Sequence, residues 1–150
     1  MTATVAPILP AEVTAKPFFE LTLEMLNCVR DFNFTRLANI CDDDYGIVDI
    51  NTTGGSEIIR DRAGWEAWFE GLFAKLTEMK ASTWSEITNY EVVTGHDMAY
   101  SVVDFDQYFV TPEQKLRFGV LATIIWKKTA DGWKESRYHS SLKNVQPVTL

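Results

Sequence analysis

Histidine and cysteine are both scarce, with two of each in the chain. His96 and His139 stand far apart, with no HExxH and no clustered thiols, so no metal site is expected. Cys28 and Cys41 form no CxxC and cannot build a disulfide framework. Both fall where the pattern reads as helix face, so they are expected as small buried hydrophobes in a reducing compartment. A basic surplus is missing too. Fourteen Lys and Arg against twenty-one Asp and Glu give −7, with no basic block to neutralise phosphates, which argues against a nucleic-acid partner. No apolar run approaches the roughly 20 residues of a membrane span. The opening MTATVAPILP has neither a basic stretch nor a long apolar core, so no secretory leader and a cytoplasmic location are expected. GxSxG, P-loop and GxGxxG are all missing, and nothing points to a cofactor. Asp42-Asp43-Asp44 lacks the spaced ligands and bidentate Glu of a calcium loop, and is expected as a solvated acidic turn.

What is present is a globular composition. Of 150 residues, 46% are hydrophobic and 13% aromatic, enough for one domain with a sizeable core. Residues 1–13 carry no hydrophobic period and are expected as a loose arm, with a single domain over 14–150. Apolar residues at helical spacing predict a first helix over about Ala15–Val29, with Pro17 tolerated in its first turn, and a short second over Phe34–Cys41 capped by Asn33. Tyr45–Asn51 reads as a strand with Ile47 and Asp49 on one face. Thr52 to Ser56 reads as a flexible loop. Trp65, Trp68, Phe69, Leu72, Phe73 and Leu76 give the cleanest helical stripe, over about Arg62–Lys75, and such a face must lie on a sheet. From Thr83 the period changes to two. Four long strands are expected over Thr83–Val93, Met98–Val110, Lys115–Lys128 and Trp133–Leu142, joined by turn-rich breaks into an antiparallel meander. Helices first and sheet second is an α+β order. One sheet face takes the helices. The other, with Tyr90, Tyr100 and Tyr108 available, needs covering, most simply by a second copy.

The last strand carries the densest chemistry. Strict alternation places Trp133, Glu135, Arg137 and His139 on one face, with Tyr138 on the other and packed at an interface. A charged pair beside a tryptophan suits the polar floor of a pocket. His96, in a turn, reads as solvated.

The order of elements resembles the NTF2-like cone, and particular residues carry the resemblance. FTRLANICDDDYGIVDIN is similar to the helix-to-first-strand passage of SnoaL-like proteins and of calcium/calmodulin-dependent kinase association domains. TGHDMAYSVV resembles their second hairpin, and TIIWKKTADGWKESRYHSS their closing strands. The resemblance covers roughly residues 14–142. It implies helices packed on a strongly curved, mostly antiparallel sheet, a cone-shaped pocket, and usually a dimer. In the ketosteroid isomerase branch the proton-abstracting Asp lies five residues past an Asp-Asp step; Asp49 follows Asp44 by five and matches it. That branch's oxyanion tyrosine has no counterpart, since the first helix offers Phe18 and Phe19. The pocket arginines of association domains read Val102 and Ile124 here, and Arg137 stands where their terminal run has its first histidine.

The expected site therefore joins Arg137, His139 and Asp49. Arg137 would grip an anion, Asp49 would serve as general base and His139 as proton donor or acceptor. The alternative is a structural network of Arg137 with Glu135 or Asp49. The leading functional expectation is a small-molecule-binding domain for an apolar ligand bearing an acid or carbonyl group. An isomerase, dehydratase or cyclase using Asp49, and an oligomerisation module without catalysis, both stay open.

Overall fold

The computed structural model describes residues 9–50 and 55–149, leaving the Ile50 side chain aside. Residues 1–8 of the expected arm lie outside that range, as do Asn51 and positions 52–54 of the expected loop. The elements are α1 (Ala11–Thr14), α2 (Phe19–Arg30), α3 (Phe34–Ile40), β1 (Cys41–Ile50), β2 (Ser56–Ile59), α4 (Arg62–Glu78), β3 (Ser82–Thr94), β4 (Met98–Val110), β5 (Lys115–Thr129) and β6 (Gly132–Pro147). One six-stranded sheet runs β2-β1-β6-β5-β4-β3. Every neighbouring pair is antiparallel except β1 and β6. The sheet is curved and unclosed, and the helices pack on one side of it.

The first long helix begins later than its apolar period suggests. Pro17 has no N–H to donate and disfavours helical backbone at the residue before it. Phe18 follows in the left-handed region, at φ 62°, and α2 starts immediately after. Asn33 caps α3 by accepting from the Arg36 N–H at 3.2 Å, and Asp61 caps α4 by accepting from Gly64 at 2.8 Å. The tryptophan stripe behaves as expected: Trp65, Phe69 and Leu76 are buried, and Trp68, Leu72 and Phe73 partly so.

Asp42–Asp44 is the start of a strand, not a turn, although Asp43 and Asp44 remain exposed as expected. β1 starts at Cys41, directly after α3, because Arg62 of α4 pins that corner. Its guanidinium donates to the carbonyls of Ala38 at 2.8 Å and of Cys41 and Asp42 at 3.0 Å each, satisfying acceptors that a helix end leaves open. Ser56 likewise belongs to a short edge strand, paired with β1 from Ile50 to Ile47.

Two of the sheet's irregularities decide which side chains near the cavity face the helices. Thr88 is extra in β3, between Ile87 and Asn89. It turns Tyr90 inward, fully buried, with its hydroxyl donating to the Pro17 carbonyl at 2.6 Å. The expectation that Tyr90 joins the outer face is therefore corrected. Ser136 is extra in β6: Trp126 pairs with Glu135, and the next residue, Ile125, pairs with Arg137. An inserted residue inverts the alternation beyond it. Glu135, Tyr138 and Ser140 consequently share the helix-facing side, and Arg137 and His139 the other.

Candidate functional site: an acidic, aromatic-walled cavity

Between the helices and the β1–β6 end of the sheet lies a cavity of about 90 Å³. On a measure that gives one water roughly 10–15 Å³, it holds about six to nine ligand atoms. Met25, Leu26 and Val29 of α2 and Trp65, Trp68, Phe69 and Leu72 of α4 form one wall. Phe105, Val120 and Ile47 close the sheet side, where the polar groups gather: Asp49, Tyr45, Glu135, Tyr138, Gln107 and Ser85. No Lys, Arg or His is among the described residues lining it.

Asp49 reaches this floor because β1 alternates from Tyr45 through Ile47. Pairing of Ile47 with Tyr138 brings β6 alongside in parallel. Two residues further along each strand, the Ser140 hydroxyl donates to Asp49 Oδ1 at 2.7 Å. Glu135 is the unusual group, a carboxyl with 0% exposure. Burial pushes its pKa up to about 7, because low dielectric penalises the charged form. Hydrogen bonding from Tyr45 and Cys41 opposes that rise, and the neighbouring charge of Asp49 adds to it. The Cys41 thiol lies 3.8 Å from Glu135 Oε1, while Oε2 has no hydrogen-bond partner. The Trp65 indole N–H, in the opposite wall, is also buried and unpartnered.

The surrounding groups are held neutral. Burial, then the charge of Glu135, pushes the Tyr45 hydroxyl well above its usual range. Burial and Asp49 do the same to Tyr138. Burial followed by Glu135 raises the Cys41 thiol, and burial raises Cys28. Both are free, buried thiols, without the thiolate character that reactive cysteines need. No group of three or more possible metal ligands occurs among the described residues.

Of the three residues singled out from sequence, the structure places one in the cavity. Asp49 lines it. Arg137 and His139 lie on the opposite sheet face, beside Gly46, Val48, Ile58 and Arg60. There Arg137 donates to the Asp44 and Ser136 carbonyls and approaches the Asp44 carboxylate at 3.4 Å. It pairs with neither Glu135 nor Asp49, so the expected convergence does not form, and the Ser136 bulge is the reason. The same bulge moves Tyr138 from an expected interface position to the cavity. His96 is exposed in its turn, 3.1 Å from Asp97.

Glu135 was not singled out by sequence reasoning, yet a signal for it exists. Counting back from the Asp131-Gly132 turn, with Thr129 opposite Gly132, sets Glu135 opposite Trp126. That puts a carboxyl on the apolar face of β5.

Helices closed over one side of a curved sheet, with a polar-floored apolar cavity between, define the class of NTF2-like α+β cones, to which an NTF2-like protein of cystatin-like fold from Novosphingobium aromaticivorans is similar (TM-score 0.64, 14% identity, 83% of this chain and 79% of that one). Residues 20–144 match the SnoaL-like domain, and the chain belongs to that family. A hexachlorocyclohexane dehydrochlorinase (LinA) of type 2 superposes with a TM-score of 0.70 at 20% identity, over 86% of this chain and 84% of that one. A proposed calcium/calmodulin-dependent protein kinase II association domain from Xanthomonas campestris gives 0.69 at 17%, over 95% and 96%. At such identities the likeness speaks for the fold. A search of curated proteins finds no match.

Proposed function

We propose that this SnoaL-like domain binds one compact, mainly apolar molecule in the cavity, with Asp49 and Glu135 meeting its polar group. The observation that carries the reading is the cavity itself: aromatic walls converge on two acidic side chains, and no Lys, Arg or His is among the described residues lining it. A concave, largely apolar pocket with a few convergent polar groups is where small molecules bind. With Arg137 outside, the acid-bearing half of the expected ligand class loses its support and the carbonyl-bearing half keeps it.

A second reading has a specific observation in its favour. Asp49 is steered by Ser140 and faces an apolar wall, the setting in which a carboxylate abstracts a proton. Asp49 would then be the general base of an elimination or isomerisation, a chemistry also supported by the dehydrochlorinase relative.

A homodimer formed through the outer sheet face is part of the same proposal. Val93 is 54% and Tyr100 45% exposed there, and Arg137 and His139 on that face suit a role between subunits. The family match over 20–144 supports a single domain over 14–150. A cytoplasmic setting agrees with two buried free thiols. Among the described residues no helix is long and apolar enough to cross a membrane.

A thermal-shift screen of small ketones, phenols and carboxylates tests the reading on wild type and Asp49→Asn. A ligand at a hundredfold its Kd adds about 2.7 kcal/mol, or roughly 5–10 °C in Tm. Shifts with ketones or phenols that shrink in Asp49→Asn support the pocket. An inert panel would favour a pure assembly role.

A further inference from the structure

Two buried polar atoms in the cavity wall lack partners: Glu135 Oε2 on β6 and Trp65 Nε1 on α4. Buried polar groups are normally satisfied, and each exception asks for an explanation. The indole N–H can only donate. The carboxyl can donate only when protonated, and its surroundings favour that form. Two ionised carboxylates facing one cavity, with no Lys, Arg or His among its described lining residues, repel, and the fully buried Glu135 is the one of the pair that keeps its proton.

The groups facing Glu135 bear this out from every side. From β1 come Cys41, Tyr45 and Asp49, and from β6 Tyr138, of which Asp49 alone brings charge of either sign. β5 contributes Trp126 opposite it. The nearest guanidinium on α4, that of Arg62, is engaged by the carbonyls of Ala38, Cys41 and Asp42 and stacks 5.1 Å from the Trp65 ring centroid. The lining residues of α2 carry no charge.

We propose that Glu135 is the cavity's hydrogen-bond donor to ligand oxygen, and that the class of molecule selected is a compact, uncharged cyclic ketone. A ketone oxygen has two lone pairs and only accepts, so it suits donors such as the Glu135 O–H and the Trp65 N–H. An ammonium ion has none and leaves both donors unsatisfied. A carboxylate would enter a cavity that already holds Asp49, with no Lys, Arg or His among the described lining residues to receive it. The volume, with room for about six to nine atoms, fits one ring. This inference rests on the pocket reading above and adds the chemical class and the donor.

The test is calorimetric titration of the full chain with cyclohexanone, cyclohexylamine and cyclohexanecarboxylate, which share one ring, at pH 6 and pH 8.5. Wild type and Glu135→Gln are compared after circular dichroism shows both folded. The amide keeps a donor but cannot ionise. Cyclohexanone is expected to bind wild type at least tenfold tighter than either charged analogue at pH 6. Its affinity should fall tenfold or more by pH 8.5, as Glu135 ionises, while Glu135→Gln stays flat. A merely structural carboxyl would not produce that difference. Tighter binding of the amine or the carboxylate overturns the inference and leaves the pocket standing. So does a wild-type affinity unchanged between pH 6 and pH 8.5, which needs no variant to read. No binding by any of the three overturns the inference and the pocket reading together.

Discussion

Burying a carboxyl without a countercharge costs stability, and at Glu135 that cost depends on pH. Its folded pKa of about 7 stands above the ordinary 4.5, so between those values the native state holds a proton that the unfolded chain releases. Stability from this group is therefore complete below about pH 4.5 and is lost as pH rises through 7. At 1.36 kcal/mol per pH unit the full change is on the order of 3 kcal/mol. Wild-type Tm is expected to fall from pH 5 to 8 relative to Glu135→Gln, as scanning calorimetry would show. A parallel pair of curves would mean that Glu135 is ionised throughout. At Trp65, fully buried between Phe34, Tyr45 and Phe69, truncation to Ala is expected to cost about 3–5 kcal/mol. Urea unfolding measures it.

Among the elements, the α3–β1 corner depends on Arg62. Three carbonyls accept from its guanidinium and Glu66 pairs with it at 2.9 Å. A lysine cannot reproduce that planar fork. Arg62→Lys is expected to lose about 1–2 kcal/mol in denaturant titration, and an unchanged midpoint would show the corner holding itself. Element types were legible in the sequence wherever a long period ran unbroken. The stripe from Trp65 to Leu76 and the alternation from Val120 to Trp126 depend only on repeated burial of one face. Bulges escape that logic. Thr88 and Ser136 are ordinary strand residues that leave no mark in composition, and each inverts the alternation beyond it. Hence Asp49, on the regular stretch of β1 after Tyr45, shares a face with Ile47 as its alternation predicts, whereas Arg137 and His139 lie on the face opposite to Glu135. Edge strand β2 is only Ser56–Ile59, too short to establish a period. Deleting Ser136 should remove the bulge and leave Glu135 opposite Trp126 and Arg137 opposite Ile125, so cooperative unfolding should survive; loss of a cooperative melt in the deletion variant would contradict the assigned bulge.

For the molecule as a whole, one side of the sheet is committed to the helices and the other presents Tyr100, Leu121 and Val93 to solvent. If that face joins two copies, Leu121→Glu is expected to convert a dimer to a monomer in light scattering. The wild type eluting as a monomer would remove the proposed interface. The central claim concerns the opposite side. Methyl-resolved NMR of the chain titrated with cyclohexanone tests it most directly, because methyl groups mark both faces. Leu26, Val29, Leu37, Ile47, Leu72 and Val120 line the cavity, whereas Ile58, Val93 and Leu121 are exposed. Shifts confined to the first set are the expected result. Shifts confined to the second set, or none at saturating ligand, would contradict a binding site between the helices and the sheet.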